Sequence, residues 1–164
     1  MTTRRCPACG FAGHLDGPTH AYMSPSAACW ARYGEVLARE YSDARYWTSH
    51  RLLTDAYCGQ HSIGSDRRAR QSLWIHMAAL ILHFEHQSPE ERIVTFLRTA
   101  AKSGYDFPPL DMPYANLTVN IDAIHAAPDA ATHVAEVTTY ARAVHDVWAP
   151  HRAAFEGLIQ EVAA

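Results

Sequence analysis

The chain has 164 residues, 48% hydrophobic and 19% charged, with a formal net charge of −3. This composition excludes a disordered polymer, and a chain of this length can bury roughly 70% of its unfolded surface around one core. The acidic balance argues against nucleic acid, since the basic run Arg67-Arg68-Ala69-Arg70 is a single helix start rather than a phosphate-tracking face. Leu73 to Phe84, the most apolar stretch, is 12 residues long and holds two histidines. A bilayer span needs about 20 apolar residues, so no membrane is expected. Arg4 and Arg5 have no apolar run behind them, so no secretory signal is expected either, and a cytoplasmic protein follows. Lys102 is the only lysine, which leaves little room for lysine-based catalysis.

The first element is an irregular arm, residues 1–24, with Cys6-Pro-Ala-Cys9-Gly near its start. In a reducing compartment a disulfide is disfavoured. A redox pair would follow a strand and open a helix, whereas here a short polar lead precedes Cys6 and a glycine follows Cys9. Zinc is the better reading, because Cys-x2-Cys on a tight knuckle supplies two of the four ligands of a tetrahedron. Cys29, in the first turns of the first helix, and His20, between the pairs, complete the expected set of Cys6, Cys9, His20 and Cys29. His14 is the rival of His20, on a more cramped loop. Such a closed structural site can contribute about 10 kcal/mol to folding.

Helices dominate the rest. Ser24 as cap and Pro25 at the first position open a helix whose face runs Cys29, Tyr33, Val36, Leu37, Tyr41. A second, capped by Ser42 or Asp43, presents Tyr46, His50, Leu53 and Tyr57, and Gly59 to Gly64 reads as a turn. In this reading Cys58 is a small core residue. The third helix starts at Ser65 or Asp66 and reaches about His86, apolar nearly all round, as a central buried helix is. In the fourth, Ser88 caps, Pro89 is at the first position, Glu91 closes a capping box and Gly104 terminates.

Residues 105–120 form a proline-rich loop long enough to be a lid or wall. After a short piece at 121–126, a long helix begins near Asp129, with Pro150 as a break before Phe155, Leu158 and Val162. The expected architecture is all-α. It is one domain, a bundle of five or six helices: the arm at 1–24, four helices in 25–104, the loop, and C-terminal helices in 121–164.

The eleven histidines are scattered, so each is judged by its helical position. His50 and His61 share a face but would lie roughly 16 Å apart along a continuous helix. A hairpin turning at Ile63 would instead set His50 level with His76, and His151, in phase with Trp148 and Phe155, could add a third imidazole. Bundle cores build metal sites this way, so His50, His76 and His151 form a candidate second divalent-metal site. His83 and His86 sit at a helix C-terminus, while His125, His133 and His145 look peripheral. Asp55, four residues after Arg51, reads either as a surface ion pair worth under about 1 kcal/mol or as a partner of a catalytic histidine.

The runs "DGPTHAYMSPSAACWARYGEVLAREYSD", "HRLLTDAYCGQH" and "QSLWIH" resemble a family of small uncharacterised bacterial proteins. Its members share Cys-Pro-x-Cys-Gly, Asp-Gly-Pro-Thr-His, Cys-Trp and His-x4-Asp-x-Tyr-x2-Gln-His. The resemblance covers roughly Cys6 to Leu80 and singles out Cys6, Cys9, His20, Cys29, His50, Asp55, Gln60, His61 and His76. This chain has Ser62-Ile63-Gly64 where the pattern leads one to expect Pro-Gly.

Two functions follow as expectations. One is an enzyme acting on a small molecule, with His50, Asp55, His61 and His76 as candidate catalytic groups, metal-assisted or through a histidine base. The other is a non-catalytic, zinc-structured module that binds another protein. Phosphate-loop, Gly-x-Ser-x-Gly and His-Glu-x2-His signatures are absent.

Overall fold

The computed structural model describes residues 4–14, 16–113 and 119–163. Two short strands, β1 (Arg4–Arg5) and β2 (Ala12–Gly13), pair antiparallel and hold the arm as a small knuckle. The rest is helical: α1 (Ala27–Ser42), α2 (Ala44–Trp47), α3 (His50–His61), α4 (Arg67–Phe84), α5 (Glu90–Lys102), α6 (Asp122–Ala126), α7 (Ala130–Val147) and α8 (Arg152–Ala163). The all-α architecture is as the periodicity implied. Among the described residues no helix is long and apolar enough to cross a membrane.

Several boundaries differ from the sequence expectation, each for a local reason. Ser26, not Ser24, caps α1, its hydroxyl accepting from the Cys29 amide at 3.2 Å. Ser24 is held elsewhere, its amide donating to the His61 carbonyl at 2.8 Å. The helix expected to run from Asp43 is two pieces. Asp43 caps α2, and the chain breaks at Thr48 and Ser49 before α3 starts at His50. Pro89, not Ser88, is the cap of α5.

Gly59 is inside α3 rather than in a turn, because α4 lies against it. A Cβ there would meet Met77 Sδ at 2.6 Å, so the glycine is a packing requirement.

α4 is the central element, packed against α3, α5, α7 and α8. Its Leu73, Trp74, Met77, Ala78, Ala79 and Leu80 are all buried, which accounts for its lack of a polar face. α3 lies between α4 and α7, and α1 carries the knuckle against its first turns through β2.

The proline-rich loop is anchored on α4. Phe107 is fully buried with φ of 50°, and Trp74 Nε1 donates to the Pro108 carbonyl at 2.9 Å. Residues 105–113 thus wall one side of α4; the lid expectation falls in part on residues 114–118, outside the described residues.

Candidate metal centre

Cys6 and Cys9 sit on a tight loop closed by two backbone hydrogen bonds. The Gly10 amide donates to the Cys6 carbonyl at 2.9 Å, and the Cys6 amide to the Phe11 carbonyl at 2.8 Å. Gly10 has φ of 70°, a backbone conformation that costs a residue with a Cβ about 1–2 kcal/mol. The turn aims both thiols inward, where both cysteines are buried.

Cys29 comes from the first turn of α1, and the fourth member is His61 at the end of α3. Each of these residues offers a ligand atom, and the four atoms lie within 4.8 Å of one another. Cys9 Sγ is 3.7 Å from Cys29 Sγ, and Cys29 Sγ is 3.4 Å from His61 Nε2. Tetrahedral zinc with Zn–S bonds of about 2.3 Å separates its sulfurs by roughly 3.8 Å, so the donor set and its spacing fit such an ion.

The surroundings orient these ligands. His61 Nδ1 lies 2.9 Å from the Tyr57 carbonyl one turn back, which makes it the N–H donor and leaves Nε2 for a metal. Tyr33, Tyr57 and His61 form one stack, with ring centroids 3.8 and 3.9 Å apart. The Tyr57 hydroxyl is 3.4 Å from Cys29 Sγ, where it can donate to a thiolate.

Three thiols in one buried space cannot all ionise unaided. Hydrogen bonds from Cys29 and Cys9 hold the Cys6 thiol well below its ordinary value. Those same contacts, with Cys6 first, and burial push Cys29 far up. At Cys9, donation by Cys29 is outweighed by Cys6 and burial, which take it up to about 12. A divalent cation removes the repulsion that keeps two of the three protonated, and its binding releases protons.

His20 is not in the group, contrary to the sequence expectation, and neither is its rival His14. The His20 ring packs edge-on against Tyr22 at 4.3 Å and Trp30 at 5.1 Å, and its Nδ1 accepts from the Tyr22 amide at 3.4 Å. Loop spacing favoured the histidine near in sequence, but the backbone bond from Ser24 to His61 brings the end of α3 to the arm instead. Chain separation hid this: His61 follows Cys29 by 32 residues. The signal available is the family-like Gln60-His61 pair, of which the sequence suggests His61 as a catalytic group rather than a ligand.

The expected second metal site does not assemble. α3 and α4 are offset so that Asp55, not His50, faces His76, with Oδ1 to Nδ1 at 2.8 Å. His50 Nδ1 instead meets Glu40 Oε2 at 2.8 Å and stacks on Trp47. Glu40 is buried and also takes His133 Nε2 at 3.0 Å, so His133 is a core residue rather than a peripheral one. His151 Nε2 donates to the Asp111 carbonyl at 2.8 Å. Among the described residues, Cys6, Cys9, Cys29 and His61 are the one metal-competent group of three or more such side chains. Asp55 also departs from its expected surface role: it is fully buried, bonded to both Arg51 and His76.

A helical fold with a buried three-cysteine, one-histidine cluster defines the class of protein. Within it, the chain belongs to the family of unknown function DUF5946, whose model matches residues 4–149. No curated protein and no solved structure matches the chain.

Proposed function

We propose that Cys6, Cys9, Cys29 and His61 hold one zinc ion as a closed structural centre, in a small cytoplasmic protein. The observation that supports this is the convergence of four buried ligand atoms from three separated segments. Four protein ligands leave no open position for substrate, which distinguishes a structural from a catalytic zinc. The discriminating variants are His61→Ala and His20→Ala. Metal content measured after gel filtration should fall to near zero in the first and stay at one zinc per chain in the second. The reverse pattern would return His20 to the ligand set.

A second reading, histidine-dependent chemistry on a small molecule, is favoured by the Asp55–His76 pair. Asp55 fixes the imidazole through Nδ1 at 2.8 Å, while His76 keeps 18% of its side-chain surface and lines a cavity of about 190 Å³. An imidazole oriented by a buried carboxylate and open on its other side can carry protons to and from a bound molecule. His61, by this account, serves the zinc and not the reaction.

A further inference from the structure

α4 carries three arginines in its first turn, and two of them are bound to the proline-rich loop. Arg67 Nη2 donates to the Tyr105 carbonyl at 3.3 Å, and Arg70 Nε to the Phe107 carbonyl at 2.7 Å. Arg68 differs. Its guanidinium lies over the Tyr22 ring, 5.0 Å from the centroid, and no carboxylate pairs with it among the described residues. The charge is felt nearby: burial first, and then Arg68, hold the His20 pKa below its ordinary value.

Arg68 also lines the cavity that His76 lines. The two are eight residues apart, about 12 Å along the helix, with Ser72 and Ile75 between them on the same face. Tyr22 from the arm and Ala101 from α5 complete the walls, and Gln71 Nε2 donates to the Ala101 carbonyl at 2.7 Å, joining α4 to α5 there. Ser72 Oγ accepts from Ser62 Oγ and retains its own proton to donate. Asp55, whose other oxygen Arg51 holds, keeps a proton on His76 Nδ1 and leaves Nε2 to meet a ligand.

We propose that this cavity binds a small organic acid, with its carboxylate on Arg68, its hydrocarbon part along Ile75 and Ala101, and a second carbonyl or carboxylate oxygen on His76. The proposal rests on the Asp55–His76 reading above, for which it names the substrate class, and is independent of the zinc. The fork of a guanidinium matches a planar carboxylate. A phosphate would draw on the amides at the helix start. Here the Asp66 carboxylate already takes those of Arg68 and Ala69, at 2.9 and 3.1 Å. The volume of about 190 Å³ is below that of pockets for drug-sized ligands, which limits the molecule to a few carbons. Burial opposes charge on His76, but Cys58 and Asp55 outweigh it and take its pKa up to about 10, so the imidazole has a proton to donate to the second oxygen.

The test titrates glutarate into the full, zinc-loaded chain. Calorimetry reads the affinity and NMR reads the imidazole resonances, that of His76 being assigned by its loss in His76→Gln. The expected result is one saturable site, a shifted His76 resonance at saturation, and binding weaker by about tenfold or more in Arg68→Gln. Arg68→Lys should fall between the two, since it keeps the charge and loses the fork. Glutaramide, with the same carbon chain and no charge, should bind about tenfold or more weakly than glutarate. No saturable binding, or equal affinity in Arg68→Gln, overturns the proposal. Equal affinity for glutaramide overturns the charge assignment, and tighter binding of inorganic phosphate at the same site overturns the organic-acid class. Arg68-dependent binding that leaves the His76 resonance unmoved overturns the Asp55–His76 reading and keeps the anion site. Arg68 is exposed, so zinc content should stay the same in its variants, and loss of zinc from the unmutated protein would overturn the zinc reading instead.

Discussion

Asp55 has no solvent contact, and Arg51 and His76 hold its two oxygens. Removing this buried carboxylate leaves His76 Nδ1 unpaired and Arg51, itself only 14% exposed, with Glu90 as its remaining carboxylate; breaking a buried pair typically costs about 3–5 kcal/mol. Asp55→Ala should therefore lower the denaturant midpoint sharply while one zinc per chain remains. A loss under about 1 kcal/mol would mean that the pair is the surface contact its i, i+4 spacing suggests. The three cysteine ligands were readable because Cys-x2-Cys spacing and a helix-start cysteine carry geometry that is local. His61 was not, since its place depends on how the end of α3 meets the arm. His50 was misread for a related reason: its partner Glu40 lies on α1, and no periodicity within one helix reports a carboxylate on another.

At the scale of elements, the knuckle is the one without a hydrophobic core of its own. β1 and β2 are two residues each, too short to be independently stable. Its order comes from Phe11 packing inward and from the Gly10 turn, and the proposed metal would add a third tie. Chelation should therefore raise amide exchange across residues 4–13 and the first turn of α1 while α4 stays protected. Uniform exchange before and after chelation would show that the arm is held by packing alone. Helix identity was legible because caps and a 3.6-residue period are local signals. The breaks were less so. α2 and α3 separate at Thr48-Ser49 with no proline or glycine to mark the place, and α3 runs through Gly59 because Met77 fills the space a side chain would need.

For the whole molecule, the cluster joins three segments that the bundle would otherwise leave loosely coupled. The arm contributes Cys6 and Cys9, α1 contributes Cys29 and α3 contributes His61. Because α3 is packed between α4 and α7, a metal held at its end would tie the arm into the core. The central helix was legible from its all-round apolar sequence, whereas the register of α3 on α4 was not. A hairpin centred on Ile63 assumes a symmetric turn, and the actual connection shifts the pairing until Asp55 meets His76. That one offset dissolves the expected second metal site and creates the Asp55–His76 pair instead. Elemental analysis of the protein purified without an affinity tag decides whether Cys6, Cys9, Cys29 and His61 hold a single closed zinc centre. The expected result is one zinc per chain, removed only slowly by chelator, with a lower melting temperature once it leaves; a chain that is fully stable without metal, or that holds two metals, would overturn the assignment.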